Sequence, residues 1–321
     1  MADQSENKLS RRAILTRTTG AALAGAIAMQ ASAQEVKPLE VRPDTTLIDD
    51  VSETKSNSAG KKIKQSIVQW CFAEHWDMEQ TAKVAKKLGC QSVELVAPEH
   101  WPMLKKYGLT CAIASVDMSP DPPFVNGFNN PENYPKLLKA TRDAIEAAAA
   151  HNVPNVICFT GMAGDISREQ GLKNCVAGLK EVIGLAEKKG VTLCLEMLNT
   201  RDDSHPMKGH PGYQGDDIDY CADICRGVGS ERMKLLFDIY HVQIMNGDVM
   251  RRIEQLKDLI GHVHTAGNPG RKELDDTQEI NYPPIMRKLL EIGYDGYVGQ
   301  EFIPTGDPLA GLKHAVELCD V

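Results

Sequence analysis

Four apolar runs in the C-terminal half of the chain each end on a residue able to hold a metal or move a proton. VTLCLEMLN carries Glu196, KLLFDIYH carries Asp238, GHVHTAG carries His264 and GYVGQEF carries Glu301. A carboxylate at the end of a buried strand is costly unless it meets water, a cation or a metal. Three carboxylates and one imidazole suit a divalent ion such as Mn²⁺, Mg²⁺, Co²⁺ or Zn²⁺, and the ligand types exclude an all-cysteine zinc site. Taken singly, each residue has an ordinary explanation. A strand-end acid often caps the next helix, and a lone histidine in an apolar strand is usually a hydrogen-bonded core residue. Four of them on successive strands point to one metal site. His262 and His264 are two apart and so face the same way along a strand. His264, nearer the strand's end, is the ligand candidate, and His262 lies one layer deeper.

Two more residues fall close to these ends. His241 comes three residues after Asp238, where the chain is expected to leave its strand for a loop. Arg271 follows the turn-rich Gly267-Asn268-Pro269-Gly270. A planar guanidinium there can clamp a carboxylate or a pair of hydroxyls on a substrate. The plainer account makes His241 a loop histidine with a local hydrogen bond and Arg271 a surface arginine.

The elements that must position these residues alternate. IKQSIVQWC, SVELVA, LTCAIASV, NVICFTG, VTLCLEM, MKLLFDIYH, IGHVHTAG and DGYVGQEF read as strands. Between them lie helical patterns: Asp77 to Leu88, a short one at His100 to Tyr107, Tyr134 to His151, Ser167 to Lys189, Asp216 to Gly227, Asp248 to Leu259 and Pro283 to Ile292. Asp307 to Cys319 supplies the last. Ser167 is an expected N-cap, and Gly89, Gly108 and Gly190 are expected stops. Two long loops, Asp117 to Pro131 and Asn199 to Gly215, are too long to be plain connectors. Eight strand–helix pairs in about 260 residues make an α/β fold, a (β/α)8 TIM barrel, whose chemistry sits at the C-terminal ends of the strands. No GxGxxG or GxxxxGK[ST] follows any strand, which removes the main support for a doubly wound nucleotide fold.

The chain of 321 residues is 42% hydrophobic and 25% charged, fitting a globular protein. Its net charge of −8 and lack of a basic stripe argue against a nucleic-acid partner. Nine cysteines, without a CxxC pair, read as small core residues and not as a disulfide framework. At the N-terminus, Arg11-Arg12 precede an apolar small-residue stretch and Ala31-Ser32-Ala33, which resembles a twin-arginine export signal over residues 1–33 with cleavage after Ala33. The expectation is a periplasmic enzyme with no stable membrane anchor, because the apolar stretch is short and glycine-rich. Residues 34–62 form a polar linker or arm, and residues 63–321 the barrel. A symmetric homo-oligomer is the commonest state for such chains.

LEMLNTRDD, FDIYHVQIMNGD, GHVHTAGNPGR with the downstream EINYP, and GYDGYVGQEF together resemble the hydroxypyruvate isomerases. These belong to the xylose-isomerase-like barrels, which also contain ketose 3-epimerases. The resemblance runs from about Ile63 to the C-terminus and is densest from Leu193 to Pro304. It implies that Glu196 and Glu301 are paired acid/base glutamates and that Glu196, Asp238, His264 and Glu301 bind metal. It further implies that His241 and Arg271 contact a small hydroxycarbonyl substrate. At His264 the chain departs from the hydroxypyruvate isomerases, which commonly carry Gln there, and matches the ketose epimerases. The NTR and EINYP segments favour the isomerase. The expected reaction moves the carbonyl of hydroxypyruvate through an enediolate to give tartronate semialdehyde. The alternatives are a ketose 3-epimerase or another sugar isomerase, and an exported sugar-binding protein on a degenerate barrel. A metal-dependent nuclease using Glu94 and His75 is opposed by the acidic balance.

Overall fold

The computed structural model describes residues 63–321. The expected export signal and polar arm lie outside the described residues. Eight parallel strands form one sheet: β1 (Lys64–Val68), β2 (Ser92–Glu94), β3 (Ile113–Ala114), β4 (Asn155–Phe159), β5 (Thr192–Glu196), β6 (Met233–Asp238), β7 (Ile260–Thr265) and β8 (Tyr297–Gln300). The sheet order runs β2-β1-β8-β7-β6-β5-β4-β3. Its two ends meet where Ser92 bridges Thr110 and where the Leu95 N–H donates to Ile113 O (3.1 Å), closing the expected barrel.

Nine α-helices surround it among the described residues: α1 (Met78–Lys87), α2 (Trp101–Lys106), α3 (Tyr134–His151), α4 (Arg168–Lys189), α5 (Ile218–Val228), α6 (Ile239–Met245), α7 (Val249–Gln255), α8 (Tyr282–Glu291) and α9 (Pro308–Cys319). Their ends follow local chemistry. The Asp77 carboxylate accepts from the Gln80 N–H while the Gln80 side chain returns the bond, a capping box at the start of α1. Ser167 caps α4, and Gly190 ends it at φ 73°, a conformation that costs glycine little. No described helix is long and apolar enough to cross a membrane.

Two layers of core show which way each strand residue faces. Leu193, Leu195, Leu235 and Phe237 belong to the large cluster between sheet and helices. Cys194 and Leu236 belong to a smaller cluster inside the barrel. Side chains alternate along a strand, so Glu196 and Asp238 fall on the inner set. In register, Asp238 pairs with His264 and His264 with Gly299, and Glu301 follows two residues on.

Candidate metal centre and acid/base site

Ligand-capable atoms of Glu196, Asp238, His264 and Glu301 all lie within 4.8 Å of one another, and all four residues are buried. His264 Nδ1 is 2.8 Å from Glu301 Oε2 and 3.6 Å from Glu196 Oε1. Glu196 Oε1, Asp238 Oδ2 and His264 Nδ1 are buried without a hydrogen-bond partner. Buried polar atoms are rarely left so. Three orphans that converge on one point are what a cation site requires. Three carboxylates are gathered around one guanidinium, Arg271, which pairs with Asp238 and Glu301. The residues present fit a divalent metal ion.

The two glutamates differ in their surroundings. Glu301 accepts from Arg271 Nη2 (2.5 Å) and from the Trp70 indole N–H (3.2 Å), besides facing His264. Burial disfavours its charge, but Arg271 and His264 outweigh this and hold its pKa well below the usual carboxylate range. Burial raises the Glu196 carboxyl, with the Glu301 charge adding and His264 opposing. Burial also raises Asp238, to about 7, Arg271 opposing and the two glutamates adding. For His264, burial works against protonation, yet the charge of Glu301 and the contacts to Glu196, Glu301 and Glu94 lift its pKa well above the usual value.

The structure also brings together the two candidate substrate residues. Arg271 is fully enclosed and not on the surface. Its guanidinium stacks over Trp70 (5.2 Å to the ring centroid), Nη1 donates to Met207 O (2.6 Å), and Nε has no partner. His241 needs a correction: it lies not in a loop but in the first turn of α6. Its Nδ1 accepts from the Asn199 N–H (3.1 Å), which places the proton of the neutral ring on Nε2, 3.6 Å from Asp238 Oδ2. Burial, helped by the Arg271 charge, holds its pKa well below the usual value. Glu94, His262 and His264 form a second group whose atoms lie within 4.8 Å of one another, and His75 joins neither group among the described residues.

The site opens on a cavity of about 270 Å³. Phe124, Phe159, Leu198 and His210 form part of its wall, with Glu196, Arg271 and Glu301 among its polar lining. Three members escaped the sequence reading. Trp70 was placed on the first strand and in fact sits in the 3-10 turn just beyond it. Phe124 and His210 lie in the two long loops, whose lengths were the only signal that they matter.

The family model for the xylose isomerase-like TIM barrel matches residues 82–320. The chain belongs to that family. The 2-oxo-tetronate isomerase of Cupriavidus necator is 37% identical over 155 residues, which are 47% of this chain and 56% of that protein. In several such comparisons the chain spans about half the length of the curated relative it matches. The putative hydroxypyruvate isomerase of Mus musculus is 33% identical over 258 residues, 77% of this chain and 91% of that one. An L-ribulose 3-epimerase structure superposes with a TM-score of 0.64 at 18% identity, covering 80% of this chain and 92% of that chain, a likeness of fold. Family membership accounts for the barrel, and the four converging residues lie at the C-terminal ends of its strands, where barrel enzymes carry their chemistry.

Proposed function

We propose that the chain is a metal-assisted isomerase of a small hydroxycarbonyl compound, with hydroxypyruvate as substrate and tartronate semialdehyde as product. One observation carries the reading: two buried glutamates at the ends of β5 and β8 converge with Asp238 and His264 beside an open cavity, with three ligand-capable atoms that make no hydrogen bond. The isomerase names of the relatives support it. Glu196, Asp238, His264 and Glu301 would hold the ion, which supplies positive charge for the developing enediolate oxygens.

Glu196 is the base. Its Oε1 is free of hydrogen bonds and its pKa is raised, so it accepts a proton more readily than Glu301 does. It takes the C3 proton of hydroxypyruvate, leaving an enediolate across C2 and C3. The proton is returned at C2 while the hydroxyl proton passes from O3 to O2, so the product is an isomer with no change in atoms. Glu301, fixed by Trp70, Arg271 and His264, stays ionised on the opposite side of the site. Arg271 offers its unpaired Nε–H to the substrate carboxylate.

A second reading, a ketose 3-epimerase, is favoured by the apolar cavity wall, where Phe124 and Phe159 offer faces to a neutral sugar. There Glu301, protonated beforehand, would deliver its own proton to the other face of the same carbon while Glu196 keeps the one it removed, a role that the low pKa of Glu301 disfavours. Metal-loaded protein assayed with hydroxypyruvate and with a panel of ketoses separates the two, and absence of hydroxypyruvate turnover sinks the first. In either case Glu196→Gln is expected to lower kcat by about 10²- to 10⁴-fold. Unchanged turnover would remove Glu196 from the chemistry. The basic, small-residue N-terminus supports the further proposal that the protein is exported, which fusion of residues 1–33 to a reporter tests.

A further inference from the structure

Glu94 at the end of β2 is a fully buried carboxylate outside the four-residue site. Its Oε1 stands 2.8 Å from Nε2 of His264 and 2.9 Å from Nε2 of His262. The room for it is made by Gly299 on β8, where a Cβ would run into the Glu94 carboxylate and lie 2.9 Å from His264 Cδ2. On the other side of the His264 ring, Nδ1 faces Glu301 and Glu196.

We propose that Glu94 is a positioning residue which, by accepting the Nε2–H of His264, fixes the ring so that Nδ1 is presented to the Glu196, Asp238 and Glu301 carboxylates. This rests on the metal-site reading above. Rotation about the Cβ–Cγ bond of a histidine is soft and roughly two-fold. A half-turn exchanges Nδ1 for a carbon, Cδ2, so an unrestrained ring would offer the site a C–H as readily as a lone pair. A hydrogen bond at Nε2 is what distinguishes the two orientations. In either charge state of the ring, Nε2 keeps its proton and Glu94 keeps its role.

The local geometry is that of a restraint. Here both rings converge on Oε1, while Glu94 Oε2 and His262 Nδ1 have no partner. His262 thus anchors the acceptor at the point His264 needs.

The test uses the full-length protein and the variants Glu94→Ala, Glu94→Asp and Glu94→Gln. Mn²⁺ affinity is measured by calorimetry, the Nε2–H resonance of His264 by ¹⁵N-edited NMR on metal-free protein, and folding by thermal melting. Removing a partner of a ligating histidine typically costs about 10- to 100-fold in metal affinity. That loss is expected for Glu94→Ala and for Glu94→Asp, which keeps the charge but falls one methylene short. Glu94→Gln keeps an acceptor at the right reach and is expected to recover most of the affinity. The slowly exchanging Nε2–H signal should vanish in the first two variants and persist in the third. A merely structural role would lower the melting temperature and leave the affinity of the folded protein unchanged. Mn²⁺ binding within twofold of wild type in folded Glu94→Ala or Glu94→Asp, or an unaltered Nε2–H signal in either, overturns the proposal. If the wild type binds no divalent ion, the metal reading falls, and the NMR signal alone decides the role of Glu94.

Discussion

Asp238 divides its two oxygens between two jobs. Oδ1 accepts from the His241 N–H (3.2 Å) and caps α6, while Oδ2 makes no hydrogen bond and faces Arg271 at 3.6 Å in the site. The ordinary explanation of a strand-end acid and the functional one are therefore both true of the same side chain. His210 behaves differently. It packs 4.4 Å from the Phe124 ring centroid in the cavity wall, and burial, with the Arg271 charge adding, lowers its pKa to about 4. Between pH 6.5 and 4 the unfolded chain binds a proton there that the folded one refuses. Stability is thus kept above pH 6.5 and lost as pH falls towards 4, by an amount on the order of 3 kcal/mol. In His210→Gln this part of the acid destabilisation should disappear from urea-unfolding curves recorded across that range. A variant with the wild-type slope would show that His210 is not the group responsible. The four strand-end residues were legible because each closes an apolar run. Glu94 was harder to read, since its run is short and its partners are 168 and 170 residues away.

At the scale of elements, the loop after β7 is what turns Arg271 inward. Gly267 and Lys272 exchange backbone hydrogen bonds, and between them Arg271 adopts φ 51°, a conformation that costs a side-chain-bearing residue about 1–2 kcal/mol. The Ile303 N–H donates to Arg271 O (2.7 Å), tying this loop to the one after β8. Glu273 reinforces the tie by accepting from the Thr305 N–H (2.6 Å), Thr305 Oγ1 (2.7 Å) and the Gly306 N–H (3.0 Å). Glu273→Ala is expected to cost about 1–3 kcal/mol and to raise KM by loosening Arg271. An unchanged KM would mean that the two loops hold Arg271 without this tie. Much at this scale was readable. The stretches Tyr134 to His151 and Ser167 to Lys189 match α3 and α4 with its cap, because caps and left-handed stops are written in single residues. The seven-residue α6 was missed because so short a segment shows no helical period, and β3 shrinks to Ile113–Ala114 within a longer apolar run.

For the whole molecule, Glu94 on β2 reaches His264 on β7 across β1 and β8, so the site's parts come from strands that only the folded barrel brings together. A metal that binds only the folded chain should therefore stabilise it throughout. At a hundred times its Kd the gain is about 2.7 kcal/mol, read as a rise in Tm that a chelator reverses. A Tm indifferent to Mn²⁺, Mg²⁺, Co²⁺ and Zn²⁺ would argue that the converging carboxylates hold no ion.

The nine cysteines, all buried and all free, carry a consequence for the unfolded chain. Burial pushes the thiol of Cys90 up to about 12, and raises the others too, so the native fold keeps its sulfur out of reach and almost wholly protonated. The unfolded chain has no such shelter. In an oxidising compartment it would present nine thiols, an odd number that cannot all pair, and every bond formed would be non-native. The fold is thus its own protection against oxidation: a thiol reagent that leaves the native protein untouched should label the chain at all nine positions once it is unfolded.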